Sequence, residues 1–416
     1  MARGNWSIGI AAVSLLSAPA WAQTITPVVE IGDVLSGVGN VVGVIGIGVD
    51  DSGNVLAHAF TDNASAPVAI VDASHTVLLV AGQSVPLPSG ATIHDFAGGV
   101  LSLSASGVPG FWLGLSGTSG GTGVDDQGLY TGFAPDLGVQ RLVTACTASG
   151  VTSGSIYSSF FGPAVNDSNV MCFSGVIDDP TISGQFDTPV IAKVNVTSGA
   201  QSLVAKKGDV LPGQTQPILS FSTYVAFDNS GQTVFSAGTA AAAGFNTVIY
   251  RDGTKLAQTG DNAPWPGNPH YQNLGTSILG LGMSNNGHTV FSCQLNVPST
   301  FGIVHDGNPF VLTGDALPSI SPYRLGGLGF PLFVGDNDKV LWMGNWTPTG
   351  SALVQGLFVD YTLLVQEGVT QIGGKHVTQL SHFNPGFSMS RNGRYVVFQA
   401  TLEDGTEGAY LIDLES

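Results

Sequence analysis

Two sets of side chains in this sequence have types and spacings that could do chemistry. The first is a series of carboxylates that follow glycine at regular intervals: Asp33, Asp209, Asp261 and Asp315. A ring of such oxygens could hold calcium, which takes six to eight oxygen ligands. An Asp in that position more often ties its own turn through backbone hydrogen bonds. Gln83, Thr147 and Val369 interrupt the series in its weaker copies, so no metal ligand is assigned and no cofactor is expected. The second set is aromatic. Asp261 to Tyr271 carries Trp265, His270 and Tyr271, later segments carry Tyr323 and Arg324, then Trp346, then Lys375 and His376, and an earlier one carries His94. Exposed Trp and Tyr stack on sugar rings or anchor a protein partner, with large contact area at low entropy cost. Their competing role is to plug gaps between packed sheets. Trp265, His270, Tyr271, Tyr323, Arg324, Trp346 and His376 are the expected ligand contacts.

Motifs of known enzymes are mostly absent: there is no His-Glu-x-x-His, no Gly-x-Ser-x-Gly and no phosphate loop. The Gly/Ser-rich stretch from Ser116 to Gly123 has no Lys and no helix signal after it. Arg141, Arg251, Arg324, Arg391 and Arg394 are too scattered for a sialidase-type carboxylate site. Asp261 and Asp315 are candidate carboxyls for a glycosidase, with nothing in the sequence to pair them. Asp125-Asp126 and Asp178-Asp179 are further carboxylate pairs in long loops without supporting ligands. His58, His288 and His305 lie on or near strands and read as core or solvated side chains.

The elements that must position these residues come from repeats, which are sought first in a chain of this composition. One recurrent unit is a turn ending at Gly53, Gly107, Asn169, Gly231, Gly287, Asp338 and Gly393. Only Gly, Asn and Asp occur there, the residues that tolerate a left-handed backbone. Four residues earlier stands an apolar side chain in every copy (Val49, Leu103, Val165, Phe227, Met283, Val334, Met389). Four residues later stand Ala57, Phe111, Phe173, Phe235, Phe291, Trp342 and Val397. An apolar strand therefore enters each turn and a buried strand leaves it. The second unit ends a strand in Gly-Asp before a Pro/Gly-rich loop, as at Gly208-Asp209, Gly260-Asp261 and Gly314-Asp315, with Gly32-Asp33 the earliest copy. A looser strand lies between the two units, as in Thr247 to Gly253 and in Gly408 to Asp413 at the end. Four strands, A to D, in about 50–60 residues make one propeller blade. The last unit lacks its D strand, and the segment from Pro27 to Asp33 is a D strand without a blade. The expected fold is all-β: a seven-bladed propeller of four-stranded antiparallel blades, closed by the N-terminal strand pairing with the C-terminal blade, so that no sheet edge is left open.

This grammar resembles the propeller repeats of the Tol-system periplasmic protein. It is more similar to a group of uncharacterised exported bacterial proteins with tandem Asn-Asp-Ser-Gly-x-Val-x-Phe and Thr-Gly-Asp-x-x-Pro-Gly units. Asp228 to Phe235 with Thr259 to Gly267, and Ser284 to Phe291 with Thr313 to Pro318, carry the likeness, which implies the fold and no activity.

Arg3, the apolar run to Leu16 and Ala20-Trp21-Ala22 read as a secretory signal over residues 1–22, which leaves 23–416 as one propeller domain. A net charge of −17 argues against nucleic acid or an anionic membrane as partner. No segment is long and apolar enough for a membrane span. Cys146, Cys172 and Cys293 lack metal-site spacing and read as small buried side chains, a Cys146–Cys172 pair being the alternative. The expectation is a secreted or periplasmic monomer without catalytic activity that binds a glycan or protein partner on its D-to-A loop face. A carbohydrate-active hydrolase or lyase using His and Asp on that face, and a cell-envelope structural module, are the alternatives.

Overall fold

The protein is described from a computed structural model, which covers residues 24–120, 125–141, 145, 154–178, 188–241, 244–275, 280–348, 352–381 and 386–416. The segment read as a signal, Cys146 and Asp179 lie outside the described residues. Seven antiparallel sheets follow one another along the chain and form seven blades. Blade 5 serves as the pattern: strand A in two pieces (Tyr271–Leu274 and Leu281–Met283), then B (Thr289–Leu295), C (Phe301–His305) and D (Asn308–Leu312). Blade 6 runs Gly327–Val334, Val340–Trp346, Val354–Val359 and Thr362–Gln366. Because strands alternate in direction, the A-to-B and C-to-D turns share one face, and the B-to-C and D-to-A loops share the other.

The ends meet as expected. Ile25–Glu30 pairs antiparallel with Glu407–Asp413, from Ile25 opposite Ile412 to Glu30 opposite Gly408 with a bulge between Pro27 and Val29, and is the D strand of blade 7. All seven turn-end residues have positive φ, including the two that are not glycine, Asn169 at 54° and Asp338 at 68°. The flanking side chains pack inward. Val49, Val165, Phe227, Met283, Val334 and Met389 are buried on the entering strands, and all seven residues on the leaving strands are buried. These positions recur in the apolar clusters between neighbouring blades, so periodicity in the sequence becomes the inter-blade core. Cys172 and Cys293 are free thiols in this core.

The A-to-B turns are joined to one another in a closed circle. The Asn392 N–H donates to Asp51 Oδ1 at 2.7 Å, and the Asp51 N–H to the Ala105 carbonyl at 3.1 Å. Next come Ser106 N–H to Asp167 Oδ1 at 2.8 Å and Asp167 N–H to Asn229 Oδ1 at 3.0 Å. Asn229 N–H donates to Asn285 Oδ1 at 2.9 Å, and Asn285 N–H to Asp336 Oδ1 at 2.6 Å. Asp336 N–H to the Arg391 carbonyl, 2.6 Å, returns the chain of bonds to blade 7. The Arg391 side chain donates to the carbonyls of Met283 at 2.8 Å and Phe227 at 3.0 Å, tying blade 7 to blades 5 and 4. It also lines the axial cavity of about 140 Å³ bounded by strand A residues of blades 2 to 7. Removing the guanidinium strands two carbonyls and leaves the surrounding carboxylates without their cation. Arg391→Met is therefore expected to lower the unfolding free energy by about 3 kcal/mol, measured by urea denaturation.

His58, on strand B of blade 1, is a core residue as expected. Neither ring nitrogen has a hydrogen-bond partner, and the ring sits between Phe60 and Phe96 with centroids 5.1 Å from each. Burial pushes its pKa down to about 4. The unfolded chain takes up this proton near 6.5 and the folded chain does not, so the stabilisation present above pH 6.5 is lost as pH falls towards 4. Wild type should lose about 3 kcal/mol more stability than His58→Leu between pH 7 and pH 4, read from chemical denaturation at each pH.

Candidate metal centre

The seam between blades 5 and 6 on the turn face brings together side chains from three turns. His288 follows the turn-end Gly287 and opens strand B of blade 5. His305 closes strand C of that blade, and Asp306 begins the two-residue turn to strand D. Asp338 is the turn-end residue of blade 6. Among the described residues, these four are the one group of three or more His, Cys, Asp or Glu side chains whose ligand atoms converge, all lying within 4.8 Å of one another.

Local backbone rules place each member. Asp306-Gly307 has φ of 48° and 75°, the left-handed pair that a tight hairpin requires. The Asp306 Oδ1 accepts the Thr289 N–H at 2.7 Å, which fixes the carboxylate and leaves Oδ2 facing the seam. The same tether recurs in the flanking blades, from Asp252 to Thr233 and from Asp360 to Val340. Asp338 takes a left-handed conformation where five of the other six turn ends carry glycine. Asp tolerates this conformation, so the position can carry a carboxylate where glycine would offer none.

His288 Nδ1 is 2.7 Å from Asp306 Oδ2 and 3.1 Å from Asp338 Oδ1. His305 Nε2 is 3.0 Å from Asp338 Oδ1 and 3.7 Å from Asp306 Oδ2. Donors around a tetrahedral ion with bonds of about 2.0–2.1 Å stand about 3.3 Å apart, so side chains this close could close around one ion with small shifts. The His305 nitrogen is shielded from water, and its closeness to Asp338 does not amount to a hydrogen bond: the two atoms are near but not aimed at each other. A nitrogen lone pair is thus left without a proton donor, which a cation would engage. The hydrogen bond to Asp306 raises the His288 pKa above the ordinary imidazole value, with Asp338 adding to the effect. Burial alone would raise the Asp306 carboxyl, but hydrogen bonds from His288 and the Thr289 N–H together hold it below the ordinary carboxylate range. The seam is built for positive charge. Two imidazoles with two carboxylates suit a zinc-class divalent ion better than calcium, which prefers oxygen.

The neighbouring seams show what this one replaces. Between blades 4 and 5, Arg251 occupies the position of His305, Gln232 that of His288 and Gly287 that of Asp338. The Arg251 guanidinium bonds Gln232 Oε1 at 2.9 and 2.5 Å and the Gly287 carbonyl at 2.7 Å. Between blades 3 and 4, Lys193 Nζ reaches the Gly231 carbonyl. A side-chain cation spans both of those seams. In the third seam the cationic residue is replaced by a histidine and a carboxylate is added.

The residues expected to bind a ligand are dispersed. Trp346 is 1% exposed and packs on Phe358, because the end of its strand folds into the core instead of a loop. Tyr271 is buried against Phe291. Trp265 is half-buried and covers Gly302, where a Cβ would meet its ring at 2.6 Å. Tyr323 is half-buried against the blade 5–6 core. Arg324 is exposed and caps its own loop by donating to the Gly314 carbonyl at 2.7 Å. His270 and His94 are exposed, and His376 has one ring nitrogen shielded without a partner and the other 3.0 Å from the Gln371 amide nitrogen. The Gly-Asp carboxylates form no calcium ring. Asp33, Asp209 and Asp315 each accept a backbone N–H three residues back, at 2.7, 2.9 and 2.8 Å, and Asp261 pairs with Lys255.

The expectation of a non-catalytic binder working through its loop face is corrected by the metal-type cluster. The converging chemistry lies on the opposite, turn face, and it consists of imidazoles and carboxylates instead of an aromatic platform. No metal ligand was expected from the sequence, whereas these four side chains form a group whose ligand atoms could hold one ion. In the sequence His288 and His305 stand 17 residues apart as single histidines beside strands. Laying the repeats over one another, so that His288, His305 and Asp338 replace Gln232, Arg251 and Gly287, is the signal that would have joined them.

The fold and the seam together define the chain's class: a seven-bladed β-propeller with a His₂Asp₂ cluster on its turn face. It belongs to the family of unknown function DUF7453, whose profile matches residues 13–307, a span that includes His288, His305 and Asp306 but not Asp338. No curated protein matches the chain. Among solved structures it is similar to a puromycin-hydrolyzing peptidase of Mycobacterium tuberculosis, at 12% identity and a TM-score of 0.47 over 94% of this chain and 55% of that one. A GH74 xyloglucanase from Xanthomonas campestris gives 11%, 0.43, 94% and 54% in the same measures. TolB from Acinetobacter baumannii gives 11%, 0.35, 89% and 78%. The chain spans about half the length of the peptidase and the xyloglucanase.

The protein is expected to bind one equivalent of zinc. His305→Ala and Asp306→Ala should each weaken it by at least tenfold, and His376→Ala should not, as measured by competition with a chromogenic chelator.

Proposed function

We propose that this protein is a metal-assisted hydrolase whose centre is the blade 5–6 seam. The observation that carries the reading is the convergence of His288, His305, Asp306 and Asp338, with one shielded imidazole nitrogen left unsatisfied. His288, His305 and Asp306 come from one blade and make a two-histidine, one-carboxylate set of the kind that leaves a position open on zinc. When bound, the ion supplies a Lewis acid that lowers the pKa of water into the neutral range and polarises the bond to be cut. Asp338 comes from the next blade, its side chain is 56% exposed, and it faces both imidazoles. In this role it takes the proton from the attacking water and returns it to the leaving group, so that water is added across the bond and the carboxylate is regenerated. Asp306 is held by Thr289 and keeps the set in place.

A second reading has an observation of its own. Asp338 crosses the seam, so a closed four-ligand site would act as a structural clamp between blades, which suits a structural module of the cell envelope. In both readings the chain is exported and cleaved after residue 22, a reading that rests on Arg3, the apolar run to Leu16 and Ala20-Trp21-Ala22.

One substitution separates the two. In the hydrolase, Asp338→Asn keeps its zinc and melting temperature and loses about 10²- to 10⁴-fold in turnover on a panel of polysaccharide and ester substrates. In the clamp, the same variant loses zinc and thermal stability together.

A further inference from the structure

Beside the metal centre lies an aromatic surface with no part in holding a metal. Tyr361 is the second residue of the C-to-D turn of blade 6, the place held by glycine at Gly253 and Gly307 in the two preceding blades. A large side chain there stands out from the turn, and Tyr361 is 48% exposed. Its ring is nevertheless fixed. One face stacks on Phe310, with centroids 5.1 Å apart and planes 25° from parallel. Its hydroxyl donates to the Phe310 carbonyl at 2.9 Å, across the same seam. Its own carbonyl accepts from Ser319 Oγ at 3.1 Å. Phe310 in turn meets His305 edge-on at 6.0 Å, so the platform and the metal centre share a wall.

We infer that Tyr361 is a sugar-ring subsite and that the substrate is a neutral glycan. The inference rests on the hydrolase reading for its reaction and on the platform alone for its binding. An aromatic face that is already rigid binds a flat partner at little entropic cost. Pyranose rings with equatorial hydroxyls present a C–H face of matching size and leave their hydroxyls to polar neighbours, of which Asn308 and Ser319 are exposed on this surface. The net charge of −17 selects against polyanionic chains such as uronates. A neutral chain cut by hydrolysis fits both constraints, whereas a lyase acting on uronates fits neither.

The test uses the full-length mature protein loaded with zinc. Cellohexaose, xylohexaose and laminarihexaose are titrated by calorimetry, with hexagalacturonate as the acidic counterpart. At least one neutral hexasaccharide should bind and hexagalacturonate should not. Tyr361→Ala should weaken that binding at least tenfold with zinc content unchanged, and Tyr361→Phe, which keeps the stacked ring, by no more than about threefold. Equal binding to wild type and Tyr361→Ala, binding of none of the neutral probes, or a preference for hexagalacturonate overturns the subsite. If the neutral sugar binds and Tyr361→Ala abolishes it in a protein that takes up no zinc, the subsite stands and the hydrolase reading falls.

Discussion

The structure depends on the circle of hydrogen bonds that joins its seven A-to-B turns. Each link needs a backbone N–H pointing along the ring and, in most blades, a short Asp or Asn side chain to receive it. Five of the seven acceptors are side-chain oxygens of Asp51, Asp167, Asn229, Asn285 and Asp336. The turn-end residue just beyond must then bend the chain back, which is why only Gly, Asn and Asp stand there. Blades are otherwise held together by apolar contact, which is not directional. The ring supplies the direction and sets neighbouring turns side by side. Arg391 reinforces the ring from blade 7 by binding carbonyls of blades 4 and 5.

That constraint also creates the site. Once the turns are fixed, the start of strand B, the end of strand C and the turn of the next blade meet at every seam. The molecule fills these meetings differently. Lys193 and Arg251 bring their own positive charge and satisfy the next turn directly. In the following seam, two histidines and two aspartates converge instead, Asp338 contributing its carboxylate from the left-handed turn end. Phe310 and Tyr361 line the flank of that same seam.

The blades were legible in the sequence because each depends on local rules: a left-handed residue at Gly231 or Asp338, apolar Phe227 before it, buried Phe235 after it. The carboxylates of Asp33, Asp209 and Asp315 were equally legible as turn ties, since each bonds within three residues of itself. Trp346 was misplaced because strand B of blade 6 continues to it, and its ring is covered by Phe358 and closes over Gly356. The His/Asp cluster was not legible residue by residue. Its members belong to different turns, and an isolated His next to a strand gives no sign of what the adjoining blade will bring against it. The ring decides that, and reading across blades at equal positions is the step that recovers it.

Zinc K-edge X-ray absorption of the zinc-loaded protein tests the central claim most directly. The account predicts a four-coordinate ion with nitrogen and oxygen neighbours at about 2.0–2.1 Å and the outer-shell scattering of two imidazole rings. A six-coordinate, water-like spectrum without imidazole scattering would contradict it, because the seam would then hold no ion of its own.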